Sequence, residues 1–234
     1  MSRIYIDCTN GISSDMVLMA LRGLGAEADL TGKLHFHERT HTHDHEHMHD
    51  HEHTHDHEHA HGHDHASYQD VLHIIEHSHV SEQVKATARS IYSVIAEAEA
   101  SVHGATLETV HFHEVGRREA IENILSIAAA LEELEVEEVF CSDVHDGYGT
   151  ILCSHGEIPV PVPAVAAMMQ KSDLVFVTDE IPTEMVTPSG LGVLMGIGAR
   201  GTDEMPPAFE GAKSALGKGG RDIGREGLWI YLAE

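Results

Sequence analysis

Every second residue from position 41 to position 65 is histidine: His41, His43, His45, His47, His49, His51, His53, His55, His57, His59, His61, His63 and His65. The positions between them are mostly Asp and Glu, in the units THDHEH, MHDHEH, THDHEH and AHGHDH. No packed core accommodates this alternation, because either set of side chains would be buried without partners. The tract therefore separates what can supply a fold from what cannot. Setting it aside leaves roughly 200 residues, enough for one domain with a sizeable core.

Imidazole at such density suits nickel, zinc, copper and cobalt. In an extended chain the histidines share one face and the carboxylates the other. In a flexible chain, His-x-His can also wrap an ion. At four to six ligands per ion, the tract with His35 and His37 has room for about two to four ions. Such a segment ranks metals by intrinsic affinity, so copper competes. The plainer alternative is a solvated charge run or a pH-responsive linker. The interleaved acids and internal position speak against a purification tag.

Acids outnumber bases 39 to 14, for a formal charge of −25 with histidine neutral. That balance disfavours nucleic acid and anionic membranes as partners and favours cations. Protonating all 23 histidines would leave −2, so solubility and metal affinity both depend on pH. The three cysteines, Cys8, Cys141 and Cys153, form no CxxC pair. With no signal peptide and no run apolar enough to span a membrane, a reducing cytoplasm is expected.

The pattern predicts an α/β fold in one domain over residues 1–234, a sheet flanked by helices. Residues 31–66 form its flexible, disordered His-rich metal-binding insert, and residues 26–66 receive no helix or strand. Ile4–Ile6 reads as a strand, and Ser13 or Ser14 caps a helix through Leu24. Ser67 with Asp70 resembles a capping box, and Ser81 opens a long helix that Gly104 ends. Further helices are expected over 119–135, from Pro163 to Gln170 and from Thr187 onward. Strands are expected at 139–141, 151–154, 174–177 and 228–232.

Five constellations could carry chemistry. Asp7-Cys8-Thr9-Asn10-Gly11-Ile12-Ser13-Ser14-Asp15 places a glycine turn before a helix N-terminus, a geometry that binds phosphate. Asp7 and Asp15 would repel a bare phosphate, so a bridging cation completes the reading. The plain alternative is an ordinary capped turn. In Val110-His111-Phe112-His113-Glu114, an extended chain puts His111 and His113 on one face, with Glu114 as orienter or acid–base group. Cys153 and His155 repeat that spacing with a thiolate and an imidazole. His73 and His77 stand four apart on a helix, and Thr187-Pro188-Ser189-Gly190 is a second capped start.

Taken in order, DCTNGISSDM, the His-rich insert, IAEAEASVHG, VHFHEVG, ILCSHGEIPVPVPA and EMVTPSG resemble one family. It is the nickel-insertion (LarC) family of the lactate-racemase pincer cofactor. The resemblance covers most of residues 1–195, and VHFHEVG followed by CxHGxxPVPxPA is its specific part. It implies nickel insertion into pyridinium-3,5-bisthiocarboxylic acid mononucleotide, with nickel–carbon and nickel–sulfur bonds, using CTP and a divalent cation such as Mn2+ or Mg2+. The family's nucleotide site belongs to a C-terminal domain without counterpart here, so a separate C-terminal chain is the expected partner. Ser14 stands where the family has Gly, and Arg117-Arg118-Glu119-Ala120-Ile121 replaces an AVDSI-like run. The stretch between Gly25 and the insert is also shorter than usual.

The expected function is nickel binding and delivery for that insertion. Asp7, Asp15 and Glu114 are the catalytic candidates. Asn10, Gly11, Ser13, Thr187, Ser189 and Gly190 would hold the cofactor precursor. The tract histidines, His111, His113, Cys153 and His155 would hold metal. The alternative is a stand-alone nickel store or metallochaperone without insertion activity. A metal-dependent phosphohydrolase built on Asp7, Asp15, His111 and His113 is a weaker third reading.

Overall fold

The computed structural model describes residues 1–34, 66–153 and 156–234. The His41–His65 tract and His155 lie outside the described residues.

The main sheet starts with β1 (Ser2–Asp7) and is completed by β4 (Val136–Cys141), β9 (Arg200–Gly201), β10 (Lys213–Gly217) and β11 (Leu228–Ala233). Its order is β10-β11-β1-β4-β9. β1 pairs parallel with β4 and antiparallel with β11, with Tyr5 opposite Phe140 and Tyr231. The alternation of β1 sends Ile4 and Ile6 into the main core. Tyr5 points to the other face, where it packs with Phe140, Phe209 and Tyr231.

The helices are α1 (Ser14–Gly23), α2 (Tyr68–Glu76), α3 (Glu82–His103), α4 (Arg118–Glu133), α5 (Pro163–Met169) and α6 (Pro188–Gly196). Their starts follow from local chemistry. Ser13 accepts from the Met16 amide, Ser67 and Asp70 form a reciprocal capping box, Ser81 accepts from Val84 and Thr187 from Gly190. α3 buries Val84, Ala88, Ile91, Ile95 and Ala98 on one stripe and ends at Gly104 with φ 63°. α6 is apolar throughout its centre, and its Gly190–Leu194 stretch is buried between α1, α3 and α5.

Three short pairs complete the structure. β2 (Ala66–Ser67) pairs antiparallel with β3 (His111–Phe112), and β5 (Val144–Asp146) pairs parallel with β8 (Phe176–Thr178). β6 (Gly149–Cys153) and β7 (Gly156–Val160) form a hairpin. The strand expected at 174–177 lies slightly later, because Leu174 and Val175 serve as its lead-in, the Val175 carbonyl accepting from Val144. Residues 26–34 make no helix or strand, as expected, yet they are docked: Ala26 and Ala28 are buried and the Glu27 and Ala28 amides donate to Glu133. The residue ending the predicted insert, Ala66, belongs to β2.

Candidate functional site

One cleft of about 900 Å³ lies where several helices begin. β1 runs into α1 through residues 8–13, so the α1 N-terminus stands beyond the carboxyl end of a sheet strand, where open α/β sheets bind ligands. The N-terminus of α6 is joined to it. The Ile12 amide donates to Met185 O at 2.9 Å, and the Thr187 amide donates to Ile12 O at 3.0 Å. Ser189 Oγ donates to Ser14 Oγ at 3.1 Å, linking the two first turns. Glycine makes the approach possible: a Cβ on Gly11 would stand 2.3 Å from Met185 O, and one on Gly190 would stand 2.4 Å from Ile12 O.

α4 also opens into the cleft with Arg117, Glu119 and Ala120, and its N-cap, Arg117, makes no side-chain cap. The start of α5, Pro163 and Ala164, lines another wall. Four helix starts thus border one volume, and helix starts carry unpaired N–H groups and a positive dipole end, a setting that favours an anion. The same walls carry Asp15, Glu99, Glu114, Glu119 and Glu184 against Arg117 and Arg221. Helix dipoles plus excess carboxylates suit an anionic ligand accompanied by a metal cation better than either alone.

The carboxylates are held individually. Asn123 Nδ2 donates to Asp15 Oδ1 at 2.5 Å. Arg221 donates to Glu184 at 2.6 Å. Burial pushes the Glu184 carboxyl above its ordinary value, against the lowering pull of Arg221. Behind the cleft, buried Asp146 accepts from the Gly147, Met185 and Val186 amides at 2.8, 2.8 and 3.0 Å, which fixes the segment leading into α6. Burial is the largest influence on Asp146 and raises its pKa despite those three donors.

The structure gathers many of the residues singled out from sequence. Ser13, Asp15, His113, Glu114, Cys153, Thr187 and Ser189 all line the cleft, and Gly190 lies just behind it at the α6 start. Others lie elsewhere. Asp7 Oδ1 is engaged by the Thr9 amide and hydroxyl, and Asn10 Nδ2 donates to Gly227 O. Gly11 serves the loop crossing. His111 is exposed on β3 and does not line the cleft, whereas His113, just past the strand, does. His73 on α2 and His77 at its C-cap have ring centroids 4.0 Å apart and planes tilted by 34°, away from the cleft. Among the described residues, no three His, Cys, Asp or Glu side chains are grouped closely enough to hold a metal ion together.

Sequence reasoning passed over Glu99, His103, Asn123, Glu184 and Arg221 in the walls, and Asp146 behind them. Glu99 and His103 carried a signal, their spacing of four in the last turn of α3. Arg221 carried none, being one basic residue in a glycine-rich loop.

The family model described as nickel insertion protein matches residues 4–230, almost the whole chain. The chain belongs to the nickel insertion protein family. It is 35% identical over 236 residues to the pyridinium-3,5-bisthiocarboxylic acid mononucleotide nickel insertion protein of Acetivibrio thermocellus, covering 95% of this chain and 58% of that one. To the protein of the same name from Alkaliphilus metalliredigens it is 33% identical over 257 residues, covering all of this chain and 61% of that one. A putative nickel insertion protein of Enterococcus faecalis is 38% identical over 162 residues, 66% of this chain and 47% of that one. The chain thus spans about three fifths of the first two relatives' length. No solved structure matches. No helix among the described residues is long and apolar enough to cross a membrane.

Proposed function

We propose that the cleft receives pyridinium-3,5-bisthiocarboxylic acid mononucleotide and that the chain delivers nickel to it there. The observation that carries this reading is the convergence of the α1 and α6 N-termini, bonded to each other through Ile12, Met185 and Thr187, on a cleft also lined by His113 and Cys153. The mononucleotide's phosphate is an anion suited to paired helix starts bearing Ser13, Ser14, Thr187 and Ser189. Nickel, the cargo, suits imidazole and thiolate donors. The His tract gathers the ion, and His113 presents it to the thiocarboxylate sulfurs, with Cys153 and His155 as further donor candidates. Nickel–carbon bond formation displaces a ring proton, and Asp15 and Glu114 are the cleft carboxylates assigned to accept it.

In this proposal a separately encoded nucleotide-binding chain supplies the CTP and Mn2+ or Mg2+ chemistry. The discriminating experiment is an insertion assay with nickel, precursor and CTP, run with and without such a chain. Nickel-loaded cofactor appearing only with the second chain supports the division of labour. Insertion by this chain alone without nucleotide contradicts it. A nickel store would bind nickel and show no affinity for the precursor.

A further inference from the structure

The end of α3 brings a further imidazole to His113 of VHFHEVG. His103 is the last residue of α3, and its Nε2 lies 3.4 Å from Oε2 of Glu99, one turn earlier. Beyond Gly104 the chain reverses through a turn in which the Thr109 and Val110 amides donate to Thr106 O, and it returns as β3. This reversal sets the His113 ring 5.7 Å from the His103 ring, centroid to centroid, with their planes 48° apart. Glu99, His103 and His113 all line the cleft.

The spacing is built by the core. Phe112 is fully buried beside Tyr68 and Tyr92, at centroid distances of 6.1 and 5.9 Å. The buried Tyr92 hydroxyl donates to Val115 O at 3.0 Å. Both flanks of His113 are thereby fixed to α3, the helix that carries His103.

We propose that His103 and His113 form a two-imidazole transfer seat for a transition-metal dication, with Glu99 as the positioning residue for His103. The function proposed above supplies the identity of the ion, nickel, and of its acceptor; the seat itself stands on the geometry. With metal–nitrogen bonds of about 2.1 Å, two rings that share one ion have centroids on the order of 5–6 Å apart. A carboxylate turned to one ring nitrogen is the usual companion of a metal-bound histidine, fixing tautomer and orientation. The proposal gives the metal the other nitrogen of His103.

Two ligands also suit transfer better than storage. A set of four closes the coordination sphere, whereas two imidazoles leave positions open for incoming donors. The thiocarboxylate sulfurs of the precursor can enter those positions before the imidazoles leave. Two nitrogen–metal bonds break and two sulfur–metal bonds form. The ion stays divalent, the rings stay neutral and no electron moves.

The test uses the full chain, His tract included. Wild type, His103→Gln, His113→Gln, the double variant, Glu99→Gln and a control, His73→Gln, are titrated with nickel alone. Retained nickel is counted by atomic emission, and nickel-induced broadening is followed at the methyl resonances of the cleft residues Ile151 and Ile158. The double variant is expected to retain one equivalent less than wild type, with both methyl resonances staying sharp. Glu99→Gln is expected to weaken the same site about tenfold or more. His73→Gln is expected to change neither readout. A double variant that keeps the full nickel complement and the broadening overturns the seat. Should the double variant fail to fold, undiminished broadening in both His103→Gln and Glu99→Gln overturns it equally. Titrating the same samples with precursor separates the two ideas. A wild type that loads the seat yet never binds precursor sinks the proposed function and spares the seat.

Discussion

Asp146 shows how one side chain sets the geometry of the cleft. Its Oδ1 collects three amide donors, and among the described residues Oδ2 has no hydrogen-bond partner. Asp146→Ala strands three buried N–H groups and is expected to cost about 3 kcal/mol or more in urea unfolding. Asp146→Asn retains an acceptor oxygen and removes a buried charge, so its cost is expected to be under about 1 kcal/mol. The pH dependence has a definite sign. The folded-state pKa lies above the ordinary 3.8, so the native state holds the proton more tightly than the unfolded chain. The stability gained from that proton is full below 3.8 and is lost as pH rises through the elevated native value. Asp146→Asn is expected to flatten this decline in a pH series of unfolding midpoints, leaving the part due to Glu184, whose carboxyl is also raised. Nothing in the sequence marks Asp146 for this duty, because its donors at 185 and 186 come from 39 and 40 residues away.

At the level of elements, the helices were legible and the strand pairing less so. Caps are local: Ser13, Ser67 with Asp70, Ser81 and Thr187 each satisfy an amide three residues on, so spacing alone reveals them. β10, Lys-Ser-Ala-Leu-Gly, has no β-branched or aromatic residue and owes its conformation to β11 beside it. β5 likewise depends on β8. His111 and His113 share a strand-like period, but the strand ends at Phe112, so only His113 is carried into the cleft. The joined α1 and α6 starts give a testable expectation. Gly190→Ala drives a methyl group into the Ile12 carbonyl and should cost about 1–3 kcal/mol. It should also weaken precursor binding more than nickel uptake, measured by calorimetry on one preparation.

For the whole molecule, the chain combines a histidine tract, an acidic surface and one cleft where helix starts collect. The family and the α/β class were readable because the motifs are contiguous runs of residues. The cleft was not, because its walls come from residues 13–15, 99–103, 113–123, 151–153, 158–164, 184–189 and 221, which only the fold brings together. The nickel capacity of the full chain should fall as pH drops through about 6.5, when imidazoles protonate and lose their metal-binding lone pair. Equilibrium dialysis at a series of pH values checks this.

In the proposed function the paired α1 and α6 starts bind the precursor's phosphate. Calorimetric titration of pyridinium-3,5-bisthiocarboxylic acid mononucleotide into wild type and Ser189→Asp tests it most directly. One precursor per wild-type chain is expected, with binding at least about tenfold weaker in the variant through repulsion at the phosphate seat. Equal affinities in the two proteins would contradict it.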